Sequence, residues 1–298
     1  MDGAGTAGWT RSTPPAPAAF RIPYTHDHAA LAGRLRRAVE HGPGFAVVTG
    51  TPVADLAVRD AQSFAVEMLD PLGTALLQGR GGEGERAWLV RDEGVSAHTG
   101  EGRFHENAYT SKSRGYLHLH NDQAVRPFGQ DPDLLALFAH RRARRGGASL
   151  LLDGRALYRI LAAEHPRALA ELGTPYPVDR RHVTPAGGPE VIRVPVFDTG
   201  GGRLVVRCNA KRIETAAELT GDRLPAGQRA ALDVLKNVLA RPSLRIRVLL
   251  DEGDCLLTDD RRVLHGRTAY EDHSDPERRR CLIRLMLRRH PDWPDRAA

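Results

Sequence analysis

The last apolar run of the chain, Arg280-Cys281-Leu282-Ile283-Arg284-Leu285-Met286-Leu287, sets the first limit on the fold. On an extended backbone, residues two apart share a face. Arg280, Leu282, Arg284 and Met286 therefore line one side, and Cys281, Ile283, Leu285 and Leu287 the other. Both sides are largely apolar, so the run predicts a central strand covered on each face. Two arginines on such a strand need anionic partners, because an unpaired buried charge is strongly unfavourable. A guanidinium fork matches a carboxylate in bidentate geometry. The partner is either a protein carboxylate or a bound anion.

A second run, Leu117-His118-Leu119-His120-Asn121-Asp122, alternates apolar and polar residues and reads as a short strand. His120 and Asp122 would project together. With a histidine from elsewhere they would form the two-histidine, one-carboxylate triad that holds non-haem Fe(II). His-x-Asp alone is weak evidence, since roughly 1.6 His-x-acid matches are expected by chance in such a chain. His273-Ser274-Asp275 and His290-Pro291-Asp292 match equally well. The third ligand is offered by Asp259-Asp260-Arg261-Arg262-Val263-Leu264-His265-Gly266-Arg267, where His265 is expected at a strand end.

Between these motifs, helical spacing marks residues 27–41, a second helix from Ala57 to Met68, one around Ala156 to Ala163 that breaks at Pro166, and one through Ala231 and Leu239. Strand-like runs are Phe45 to Thr49, Leu134 to Ala139, Ser149 to Leu152, Val191 to Phe197, Arg203 to Cys208, Leu244 to Leu250 and Cys255 to Thr258. The runs at 191–197 and 203–208 read as a hairpin through Asp198-Thr199-Gly200-Gly201-Gly202. Many short strands with a few helices predict a mainly β fold with flanking helices, a sandwich or jelly roll. Residues 1–20 are expected as a flexible tail and 21–298 as a single domain. The polar, glycine-containing segment at 93–115 reads as a lid or an ordinary surface loop.

The net charge of +6 raises nucleic acid as a partner. The basic residues are dispersed, and the densest run outside the last strand, Arg141-Arg142-Ala143-Arg144-Arg145, reads as a solvated turn. Neither nucleic acid nor membrane is expected as a partner. Cys208, Cys255 and Cys281 lie in apolar runs without CxxC spacing, which predicts reduced, buried thiols and a cytoplasmic protein.

The order His120-x-Asp122, Gly146-Gly147-Ala148-Ser149, Leu264-His265-Gly266-Arg267 and Arg279-Arg280-x-Leu282-x-Arg284 resembles the taurine dioxygenase and clavaminate synthase-like superfamily. Its members are Fe(II)- and 2-oxoglutarate-dependent oxygenases built on a distorted jelly roll, the double-stranded β-helix. The resemblance runs from about Phe45 to Arg288. It implies that His120, Asp122 and His265 bind iron. It also implies that Arg280, with Arg279 as the rival one residue away, grips the far carboxylate of 2-oxoglutarate beside the Ser149 hydroxyl. Arg284 matches a position that contacts the substrate's anionic group in some members. Arg267 and Tyr116 are further substrate candidates, with His105, Asn107 and Tyr109 in the lid region. The implied reaction uses O2 to oxidise an unactivated C–H bond of a small, anionic or amino-acid-like substrate, as in natural-product tailoring. Family halogenases lack the carboxylate ligand, so Asp122 points to hydroxylation or a related oxidation. Two rivals are a cupin-like metalloenzyme without redox chemistry and a basic, non-enzymatic binding protein. The oligomeric state is not legible.

Overall fold

A computed structural model describes residues 8–79, 84–94, 112–122, 124–126, 131–181, 184, 187–291 and 293. In chain order, the first elements are β1 (Arg21–Pro23), α1 (His28–Glu40), β2 (Phe45–Thr49), α2 (Val58–Leu69), β3 (Gly73–Ala75), β4 (Ala87–Val90) and β5 (Leu117–His120). Then come β6 (Leu134–Arg141), β7 (Arg145–Gly146), β8 (Ser149–Asp153), α3 (Gly154–Glu164), α4 (Pro166–Leu172), β9 (Tyr176–Asp179), β10 (Val191–Val194), β11 (Phe197–Asp198) and β12 (Val205–Val206). The chain closes with α5 (Ala210–Thr220), α6 (Ala226–Leu239), β13 (Ile246–Val248), β14 (Cys255–Asp259), β15 (Val263–Arg267), β16 (Tyr270–Glu271) and β17 (Cys281–Arg289).

Two sheets carry the architecture. The larger runs β1-β2-β14-β6-β17-β3, with β4 also on β17; the smaller runs β13-β8-β15-β5. All their pairings are antiparallel except β1 with β2. This is the expected distorted jelly roll with helices outside.

The period-two patterns place the core. Ile283, Leu285 and Leu287 of β17 pack outward with Val48 and Phe138 against α1 and α2, through Leu31, Leu35, Ala65 and Met68. Leu150 and Leu152 of β8 and Leu264 of β15 pack outward against the other helices, through Leu157, Leu161, Leu172 and Leu235. Between the sheets lie Phe45, Val47, Leu256 and Leu282 from one side and Leu151, Val248 and Val263 from the other. β17 is therefore covered on both faces, and its inward face carries Leu282 and Arg284.

Several expectations are corrected. Residues 8–20 are not loose: Trp9 sits between the sheets against Phe45, its indole donates to the Pro43 carbonyl at 2.7 Å, and its amide donates to Asp153 at 3.3 Å. The helix that breaks at Pro166 restarts there, because proline suits a first helical turn whose N–H groups are unpaired anyway. The run 191–197 is divided at Pro195, which has no N–H to give a ladder. Val191–Val194 pairs with β9, and the hairpin shrinks to β11 with β12. His265 lies in the middle of β15, not at its end. The helix α5 was not expected.

Most of the lid candidate, with His105, Asn107 and Tyr109, lies outside the described residues. Its flanks meet at the base, where the Glu93 amide donates to the Lys112 carbonyl at 3.1 Å and the Lys112 ammonium contacts Glu93 at 2.7 Å.

Candidate metal centre

The ladder between β5 and β15 sets His120 directly opposite His265. Their rings lie on one face with centroids 4.4 Å apart. Beside His265 the register shifts, and Gly266 allows it: a Cβ there would stand 2.6 Å from the Leu117 carbonyl oxygen. Glycine next to the histidine thus lets the two strands close.

The imidazoles are oriented alike. His120 Nδ1 lies 2.8 Å from the His118 carbonyl oxygen, an acceptor that fixes the proton on Nδ1. Its Nε2 then presents a lone pair toward Asp122, with Oδ1 3.6 Å away. His265 points Nε2 at the other carboxylate oxygen, 3.9 Å off, and Nδ1 at Asp260, 3.4 Å off. One ligand atom from each of His120, Asp122 and His265 can be chosen so that all lie within 4.8 Å of one another. Two imidazole nitrogens and a carboxylate oxygen at that spacing could hold an octahedral metal on one face.

The electrostatics suit a cation. Burial would raise the Asp122 carboxyl, but Arg284 and the two histidines outweigh it and hold the group well below the usual carboxylate range. Burial lowers His265, against a partial pull from Asp122, so its ring is neutral near neutral pH. Asp260 behind them is driven well up by burial and by the Asp122 charge.

Three side chains that the sequence did not single out hold this geometry. Asn121, between His120 and Asp122, is 2 % exposed. Its amide donates to the carbonyls of Asp260 and Val263, and its oxygen accepts from the Cys208 amide at 3.0 Å. Asp260 accepts the Asp122 amide at 3.3 Å. Gln78, fully buried, accepts from Arg284 Nε at 2.8 Å and donates back to the Arg284 carbonyl at 2.9 Å. Arg284 Nη1 then reaches Asp122 at 3.0 Å. The arginine expected to need an anion has one here, the Asp122 carboxylate.

A second anion-seeking group sits at the start of β17. Arg280 is 4 % exposed, whereas Arg279 faces solvent. The Arg280 guanidinium lies over the Tyr270 ring at 4.9 Å, and Arg267 over the same ring at 4.8 Å. Gly147, at a positive φ of 72°, leaves room: a Cβ there would come within 3.2 Å of Arg280 Nε. Arg280 Nη1 and the Tyr270 hydroxyl are buried without a hydrogen-bond partner among the described residues. Both the Arg280 side chain and Ser149 line a cavity of about 210 Å³, together with Gly147, Arg145, Arg247 and Leu282.

The remaining candidates have protein partners. Arg267 Nη2 donates to the carbonyls of Ser113 and Gly115 at 2.6 and 2.9 Å; burial, then Arg280, brings its pKa down to about 10. Tyr116 is exposed, and its hydroxyl accepts from Arg245 at 2.8 Å. Arg142 and Arg144 of the basic turn form surface pairs with Asp251 and Glu271.

A profile of the family described as "Taurine catabolism dioxygenase TauD, TfdA family" matches residues 10–286. An FR-33289 synthase from Streptomyces rubellomurinus (strain ATCC 31215) is 28 % identical over 252 residues, 84 % of this chain and 70 % of that one. A uridine-5'-phosphate dioxygenase from an Amycolatopsis species is 33 % identical over 157 residues, 52 % of this chain and 55 % of its own length. Among solved structures, asparagine oxygenase in complex with Fe(II), 2S,3S-3-hydroxyasparagine and succinate superposes with a TM-score of 0.63 at 15 % identity, over 90 % of this chain and 93 % of that one.

Proposed function

Because the chain belongs to the taurine catabolism dioxygenase TauD, TfdA family, an Fe(II)- and 2-oxoglutarate-dependent oxygenase family, we propose that His120, Asp122 and His265 hold its iron. When bound, iron and 2-oxoglutarate supply the chemistry by which O2 oxidises a substrate C–H bond while the keto acid becomes succinate and carbon dioxide. The observation that carries the residue assignment is the convergence of His120 Nε2, His265 Nε2 and the Asp122 carboxylate, with both Nδ1 atoms turned toward oxygen acceptors.

The chain's own residues do the rest. Asp122 contributes an anionic oxygen, and Arg284, clamped by Gln78, fixes the orientation of its carboxylate. Outer partners of this kind tune ligand geometry and affinity. Arg280 and Ser149 take the far carboxylate of 2-oxoglutarate, which would satisfy the buried Nη1 that is otherwise unpaired. Both Arg280 and Ser149 are themselves buried, which strengthens such an ion pair over one in open water.

The substrate is a small molecule carrying an anionic group. This follows the arginine-rich interior and the names of the matched relatives, one of which acts on uridine 5'-phosphate. Hydroxylation is the reaction, since the carboxylate ligand is present, and tailoring of a natural product is the setting. Among the described residues no helix is long and apolar enough to cross a membrane. The three cysteines are buried and unpaired, which supports a cytoplasmic protein.

The test is an anaerobic absorbance titration with Fe(II), then 2-oxoglutarate, read at the weak visible charge-transfer band of the chelated keto acid. Wild type shows the band, and His265→Ala does not. No band from folded protein that holds iron would rule out 2-oxoglutarate and favour a metalloenzyme without redox chemistry.

A further inference from the structure

The short strand β16 lies unusually close to its partner. Tyr270 pairs with Gly146 of β7, and a Cβ on Gly146 would collide with the Ala269 carbonyl. Gly147 comes next, and a Cβ there would meet Arg280 Nε at 3.2 Å and Tyr270 Cβ at 3.4 Å. Two glycines in a row therefore let Tyr270 share the space beside Arg280. Its backbone is held from the other side too, where its amide donates to the Arg114 carbonyl at 3.1 Å. The ring is buried, with the Arg280 guanidinium 4.9 Å from its centre.

This packing leaves two neighbouring donors without an acceptor. Arg280 Nη1 and the Tyr270 hydroxyl are both buried and unpaired among the described residues. A guanidinium has N–H groups and no lone pair to offer, so whatever the phenol oxygen lends to the Arg280 charge, the phenol proton still lacks an acceptor. Burial raises the phenol pKa against the pull of Arg280 and Arg267, so the proton stays on at neutral pH. Asp272 does not take it: its Oδ1 accepts the Arg280 amide at 2.8 Å, and its buried Oδ2 meets no donor among the described residues. Arg267, 4.8 Å from the same ring, turns Nη2 to the Ser113 and Gly115 carbonyls. Buried donors left unpaired are unfavourable, and in folded proteins they usually have a partner or a role.

We propose that the Tyr270 hydroxyl donates to the far carboxylate of 2-oxoglutarate beside Arg280 Nη1, a third hold in addition to the Ser149 hydroxyl. This rests on the co-substrate site assigned to Arg280 and Ser149 above and adds a residue to it. A carboxylate has two oxygens with two lone pairs each, so it can accept from the guanidinium, the phenol and the serine together. Hydrogen bonds to a charged acceptor are the stronger kind. Tyr270 is thereby a specificity residue. A keto acid without the far carboxylate would leave the guanidinium and the phenol as they are now, buried and unpaired, and sites built to hydrogen-bond a group reject analogues that lack it.

The experiment is an anaerobic titration of the full chain, loaded with Fe(II), with 2-oxoglutarate, read at the visible band in wild type and Tyr270→Phe. Phenylalanine keeps the ring against both guanidiniums and removes only the hydroxyl, and losing an unpaired buried hydroxyl does not weaken the fold. Fe(II) binding without the keto acid should be the same in both proteins. The variant should reach the full band with a dissociation constant for 2-oxoglutarate at least ~10-fold higher, the scale of one hydrogen bond to a charged group. 2-Oxopentanoate, the same chain with a methyl in place of the far carboxylate, should bind both proteins alike. An unchanged dissociation constant for 2-oxoglutarate overturns the proposal and leaves the co-substrate site standing, as does an equal loss for 2-oxopentanoate, which would mean a change in pocket shape. No band from wild type overturns the co-substrate site, and the proposal with it. If 2-oxopentanoate binds neither protein, the 2-oxoglutarate titration decides.

Discussion

Asn121→Ala tests how the site is held. The side chain is 2 % exposed and joins three segments: its own, the start of β15 through Asp260 and Val263, and the Cys208 amide. Alanine leaves the Cys208 N–H without its acceptor, at ~1–3 kcal/mol for a buried unsatisfied group. The two carbonyls lose a donor each, at ~1 kcal/mol apiece for an ordinary hydrogen bond. The sum is ~3–5 kcal/mol, a large share of a typical stability of ~5–15 kcal/mol but not all of it. Urea denaturation of the metal-free protein should therefore show a lower midpoint with a cooperative transition. His120 and Asp122 flank Asn121, so the ligands should also lose their fixed spacing. Outer residues of this kind are worth ~10–100-fold in metal affinity, and Fe(II) titration should show a loss in that range. A stability change under ~0.5 kcal/mol, the size of a neutral surface substitution, with unchanged iron affinity would refute the reasoning.

Arg280→Ala should raise the 2-oxoglutarate concentration needed for the visible band by at least ~10-fold, the scale of a lost charge-assisted pair, and Arg279→Ala should leave it unchanged. Equal effects would mean that exposure is no guide to which arginine matters. Trp9→Ala should cost ~3–5 kcal/mol in a denaturation experiment, as for other large-to-small core changes; a neutral result would restore the loose tail. His265 in metal-free protein should titrate by NMR below the ordinary histidine value of 6.5, because burial disfavours its charged form. The unfolded chain then takes up this proton before the folded one does, so the His265 contribution to stability falls as pH drops from 6.5 toward the folded midpoint. A midpoint at or above 6.5 would contradict that sign.

What the sequence revealed follows from where each signal resides. The strands β6, β8 and β17 carry their periodicity in consecutive residues, and covalent spacing alone puts His120 and Asp122 on one side. Arg280 could be preferred over Arg279 because strand parity predicts which one turns inward. The supports were hidden because their partners are remote in the chain. Gln78 meets Arg284 across 206 residues, and Asn121 meets Cys208 across 87. Asn121 had no signal beyond a polar residue between two candidate ligands, and Asp260 none beyond its closeness to His265. α5 was missed because it buries only Ile213, Thr215 and Ala216, too little apolar surface for a visible stripe. β3 and β4 are three and four residues long and exist because β17 offers them a ladder.

The central claim is that His120, Asp122 and His265 hold one iron. The most direct measurement is the anomalous scattering of crystals grown without oxygen and soaked with Fe(II) and 2-oxoglutarate, recorded at the iron edge. The account predicts one peak per chain, bounded by the Nε2 atoms of the two histidines and the Asp122 carboxylate, with the keto acid reaching toward Arg280. A peak ligated elsewhere, or none at these side chains in fully loaded protein, would contradict it.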